Sequence, residues 1–179
     1  MNFIRTLTTV IIAISLSACV NVEEPQHNEK QLVVSSSFER DIELDEHSTY
    51  AFTPLQESDI GHRYPLMTET IEQYMTAKSF TQVSAQQNPT FYIGYLLETE
   101  DDLSDEQLVE SFGLNPGLPT LPHLEKGTLM VFVLDGQTKQ FVWKAAAQGF
   151  VIEDLSDEER RLRMQQIVVA TFNQFVHKE

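Results

Sequence analysis

Hydrophobic and polar positions divide the chain into strand-like and helix-like segments beginning at Leu32. Residues 32–38 (LVVSSSF) are mostly apolar with moderate alternation, and residues 48–53 (STYAFT) form a second strand-like run stopped by Pro54. Between them, residues 39–46 carry five carboxylates and read as a connector. The spacing then predicts a helix over 64–78. Pro65 suits its first turn, and Met67, Ile71, Tyr74 and Met75 fall on one face, with Glu69 and Glu72 elsewhere. Residues 80–83 read as a short strand. Residues 89–99 read as a longer one, with Phe91, Ile93, Tyr95 and Leu97 alternating to one side and Tyr92, Gly94 and Leu96 to the other. Gly94 inside that strand marks a bulge or a close backbone approach.

Residues 100–126 have the character of an insertion. Ser104 and Gln107 have capping-box spacing, and Leu103 and Leu108 are placed as a hydrophobic staple. A short helix over 105–112 ended by Gly113 is therefore expected. Pro116, Pro119 and Pro122 recur every third residue, the period of polyproline II, and suit a stiff surface loop or a docking loop. Residues 127–136 and 139–151 follow as a hairpin turned at Asp135-Gly136. Residues 128–134 are apolar on both faces, as in a strand covered on both sides or one that offers a face to a partner. On the return strand, period-2 alternation predicts one face for Phe141, Trp143, Ala145 and Ala147, with Trp143 as a core anchor. The last segment, 157–177, is a helix with a Ser156/Glu159 capping box. Its apolar stripe is Met164, Ile167, Val168, Thr171, Phe172 and Phe175. Together these elements predict an α+β domain: a two-layer, largely antiparallel sheet with two main helices packed on one face.

The residues ahead of Leu32 have a different character. Arg5 precedes an apolar run over 7–16, too short for the roughly 20 residues that a membrane span needs. The run ends in Leu16-Ser17-Ala18-Cys19, which contains the only cysteine in the chain. This pattern resembles a bacterial lipoprotein signal, and the resemblance implies cleavage before Cys19 and acyl chains, palmitate among them, on that residue. Two or three chains at about 0.8 kcal/mol per buried CH2 give stable anchoring. Val20 follows, and the resemblance then implies the periplasmic face of the outer membrane, because an Asp there is what tends to retain such proteins at the inner membrane. Residues 21–31 are polar and aperiodic and read as a tether. The expected organisation is a signal peptide at 1–18, an acylated Cys and tether at 19–31, and one domain at 32–179.

Charge narrows the choice of partners. The chain carries a formal net charge of -15 with 12 Lys+Arg, which argues against nucleic acid as a partner, since phosphate contacts need a basic face. A single cysteine makes no internal disulfide and leaves no Cys/His set for zinc.

Several sequence words taken together resemble a family of bacterial envelope lipoproteins, domain of unknown function 4136. They are Thr49-Tyr50-Ala51-Phe52, the helix running into Lys78-Ser79-Phe80, Gly127-Thr128-Leu129, the stretch from Asp135 to Trp143, and the closing amphipathic helix. Ser79 departs from the glycine usual there, which questions a left-handed cap at that position. The resemblance implies an α+β domain on a lipid tether and transfers no catalytic residue.

No reaction centre stands out. His27, His47, His62, His123 and His177 are scattered, and there is no HExxH, GxSxG, P-loop or GxGxxG pattern. Glu98, Glu100, Asp101, Asp102, Asp105 and Glu106 could attract calcium, yet the glycine and closing glutamate of an EF-hand loop are missing, and a solvated helix N-terminus fits better. The expectation is therefore a non-enzymatic protein without cofactor or metal, joined to the membrane through Cys19, whose domain binds a periplasmic or envelope protein. The alternative is a carrier or sensor of a small apolar ligand, held in a pocket between sheet and helices lined by Phe91, Tyr92, Trp143 and Phe172. A hydrolase is a third and weaker reading.

Overall fold

The structure is a computed structural model that describes residues 30–57 and 63–176; the signal segment, Cys19 and the tether up to residue 29 lie outside the described residues. The strands are β1 (Leu32–Phe38), β2 (Thr49–Phe52), β3 (Thr81–Gln82), β4 (Phe91–Thr99), β5 (Lys126–Asp135) and β6 (Phe141–Phe150). The helices are α1 (Pro65–Ala77), α2 (Asp105–Phe112) and α3 (Asp157–Val176). The strands form one open sheet in the order β1-β6-β5-β4-β2-β3. Its long strands β1, β6, β5 and β4 are antiparallel, while β2 runs parallel to both β4 and β3. The parallel β2–β3 pair needs a crossover between its strands, and α1 supplies it.

The first face of the sheet holds the main core. Pairings of Ile93 with Val133, Val133 with Trp143 and Phe38 with Trp143 put alternate residues of four strands on this face. α1 and α3 cover it with Met67, Ile71, Tyr74, Met75, Val168, Phe172 and Phe175, all buried. The two helices meet through the Tyr74 and Phe172 rings, 5.7 Å apart, and through the Tyr74 hydroxyl donating to Asn173 Oδ1 at 2.8 Å. Each such phenylalanine contributes roughly 1.5–3 kcal/mol by leaving water.

Two local features depart from simple alternation. A register shift lies between Val133 and Leu134, where Leu134 pairs with Phe141, so Val142 is the extra residue. Val142 and Trp143 therefore both enter the core, and Phe141 turns to the opposite face, away from the side shared by Trp143, Ala145 and Ala147 that alternation predicts. The second feature lies on β4, which runs beyond the end of β2. Past Ile93 its outer edge is met by side chains: Tyr95 N–H donates to Gln56 Oε1 at 3.0 Å, and Leu97 C=O accepts from the Tyr64 hydroxyl at 3.2 Å.

The second face is covered over only half its length. α2 begins at a Ser104–Gln107 capping box and ends at Gly113 with φ 68°. Leu103 and Leu108 pack with Leu114, Met130 and Ala146 into a small second core. The short helix expected over 105–112 thus lies opposite the two main helices, α1 and α3. The following loop stays with the sheet: Leu118 is buried and Asn115 N–H donates to Ser35 Oγ at 3.1 Å.

Candidate functional site

Phe91, Trp143 and Phe172 lie together in the main core and are fully buried. Trp143 and Phe172 have ring centroids 6.0 Å apart, and Phe175 links both sides, 5.3 Å from Trp143 and 5.6 Å from Phe91. Rings fill the space where a ligand pocket was expected. Tyr92 cannot join them, because the pleat turns it to the second face. The expected pocket of Phe91, Tyr92, Trp143 and Phe172 is therefore not formed. The space that does remain between sheet and α3 is about 160 Å3, lies towards the start of α3 beside Leu32, Leu129, Met164 and Ile167, and involves none of the four. Leu16, Ser17, Ala18 and Cys19 lie outside the described residues.

The covered half of the second face has a polar anchor at its end. The Lys126 side chain, 1% exposed, meets Asp105 Oδ2 at 2.6 Å and Glu100 Oε1 at 3.1 Å. Gln148 Nε2 donates to Asp105 Oδ1 at 2.7 Å, leaving buried Gln148 Oε1 without a partner. Burial raises the Asp105 pKa, but hydrogen bonds from Lys126 and Gln148 and the ammonium charge outweigh it and hold the carboxyl below its ordinary value. Burial likewise lowers the Lys126 pKa, and its two carboxylates more than reverse this. The acidic run considered for calcium thus spends Glu100 and Asp105 on a lysine. Among the described residues no three His, Cys, Asp or Glu side chains are placed to hold a metal ion.

The uncovered half is the candidate contact site. Phe132 and Leu134 of β5 stand on it half-buried, and Phe141 of β6 is 47% exposed with its ring 5.8 Å from Phe132. The Phe132 ring lies over Gly94, so Gly94 marks a close approach and not a bulge: an added Cβ there would sit 2.2 Å from the ring. Tyr92 extends the strip, and Lys139 places its ammonium 3.9 Å from the Tyr92 ring centre. Lys144 flanks it, paired with Glu39 at 2.8 Å. An open cleft of about 450 Å3 continues the strip past Tyr92, Leu134 and Lys139 to Thr53, Pro54, Ala85 and Gln86. The strip thus has an apolar centre and charged groups at its margin. The sequence signal for this strip was the two-sided apolar pattern of residues 128–134. Phe141 was hidden by the bulge, which no residue type announces.

The geometry can be set beside known proteins. One family model, described as Domain of unknown function (DUF4136), matches residues 34–175. No curated protein matches the chain. Among solved structures, a PDZ domain protein from Parabacteroides distasonis ATCC 8503 aligns with TM-score 0.53 and 13% identity, covering 83% of this chain and 36% of that one. A PelC dodecamer from Paraburkholderia phytofirmans aligns with TM-score 0.47 and 9% identity, covering 83% of this chain and 100% of that one. The chain spans little more than a third of the first of these, and at such identities the likeness concerns the fold alone.

Proposed function

The chain belongs to the DUF4136 family, and from that premise we propose that it is a lipid-anchored, non-catalytic binding and assembly domain of the bacterial envelope. Acyl chains on Cys19 hold it at the periplasmic face of the outer membrane, and the tether over 21–31 sets its reach. The observation that carries the binding role is the second face beyond α2, where exposed Phe141 stands with half-buried Phe132 and Leu134 beside Lys139. A partly exposed apolar strip with an exposed aromatic ring is the kind of surface that protein interfaces use. The anchor itself rests on Leu16-Ser17-Ala18-Cys19 after a short apolar run. Among the described residues no helix is long and apolar enough to cross a membrane.

Labelling with a clickable fatty acid tests the anchor. The wild-type chain is expected to take up label and sediment with membranes, and Cys19→Ser to lose label and enter the soluble fraction. Label retained by Cys19→Ser would overturn the lipidation reading.

A further inference from the structure

The second face is a step. α2 and its loop raise one half by roughly 10 Å, the thickness of a helix, and the other half lies lower, with Phe132, Leu134 and Phe141 at its surface and Tyr92 covered by Lys139 and hydrogen-bonded to Ala85 C=O. The raised half is acidic: Asp101, Asp102, Glu106 and Glu110 are exposed, and Val109 stands 48% exposed between the last two. Glu106, Val109 and Glu110 share one helix side by their spacing of three and four. The lower half carries the complementary set, with Phe141 47% exposed and Lys139 resting on the Tyr92 ring. The two halves are thus complementary in height and charge, and each presents one exposed apolar side chain.

We propose that the occupant of this face is a second copy of the same chain, rotated by a two-fold axis so that each α2 lies on the lower half of the other. Such an isologous contact uses the same patch twice and closes on itself. It sets Val109 of one copy against Phe141 of the other, and Glu106 and Glu110 against Lys139. It brings together Val109 and Phe141, one exposed apolar side chain from each half, and sets part of the acidic surface of a chain of net charge -15 against a lysine. The inference rests on the reading of this face as a contact surface and names the partner.

Disulfide trapping tests it in the full chain carrying Cys19→Ser, so that only introduced thiols react. Val109→Cys with Phe141→Cys in one molecule is expected to give a covalent dimer under mild oxidation. Either substitution alone is expected to stay monomeric, because the two-fold axis does not pair a position with itself. Both sites are exposed, and circular dichroism checks that each variant folds. A monomeric double variant, or single variants that dimerise equally, would overturn the arrangement. A photo-cross-linker at position 141 in intact envelopes separates the two readings. A product with a second copy supports the dimer. A product with another protein overturns the dimer and leaves the contact surface standing, and no product at all overturns both.

Discussion

Ser79 shows how far one backbone angle reaches. It ends α1 with φ 69°, and Phe80 N–H donates back to Met75 C=O at 3.0 Å, so the left-handed cap forms although serine holds the position. A side chain there costs about 1 kcal/mol relative to glycine. Ser79→Gly should therefore raise stability by roughly that amount, a gain of about 2–4 °C in thermal midpoint, and an unchanged or lower midpoint in a melting scan would refute it. Gly94 makes the opposite case. Gly94→Ala forces the Phe132 ring aside and should cost about 1–3 kcal/mol in denaturant unfolding. Adding Phe132→Leu should recover most of that loss, which a merely conformational effect at Gly94 would not allow. The sequence flagged both positions as special. It could not choose at Gly94 between bulge and close approach, because the ring that decides lies 38 residues away on β5, paired only in the folded sheet.

At the scale of elements, legibility followed locality. The helix over 105–112 was readable to its caps, since Ser104, Gln107 and Gly113 act within one or two turns, and Ser156 with Glu159 does the same for α3. β6 was not fully readable, because the extra residue at Val142 depends on register against β5. The anchoring of α2 was hidden too, since Lys126 meets Asp105 only through the fold. Its stability has a pH signature. Asp105 titrates below its ordinary value of 3.8, so its contribution is present above that pH and is lost as pH falls through the folded value. Lys126 titrates above 10.5, so its contribution holds up to that pH and is lost as pH rises past the folded value. Asp105→Asn should lower stability at pH 7 by roughly 1 kcal/mol, a modest figure because Asp105 is 42% exposed. It should also flatten the acid limb below about pH 4 in a series of urea titrations. An acid limb as steep as wild type would count against the assignment.

For the whole molecule, the class of the fold was legible and the strand order was not. Strand-like and helical periods gave an α+β domain with two helices on one face, as found. Nothing local announces that β2 slots in beside β4, fixed partly by Thr49 and Thr90 exchanging bonds of 3.0 and 3.2 Å across 41 residues. The expected ligand pocket failed for a related reason: four aromatic residues were grouped by type, whereas the pleat separates Tyr92 from the rest and packing closes the space between them. The apolar strip of the second face lay half in view, in a strand apolar on both sides, and half out of view in Phe141.

The side chains that meet the outer edge of β4 govern how this sheet can go wrong. An unfolded or neighbouring chain seeking to add a strand there would find the Tyr95 amide and the Leu97 carbonyl already engaged by Gln56 and Tyr64. It would have to displace those side chains to pair with these two groups. Two polar side chains thus act as a stop against fibre growth along that side.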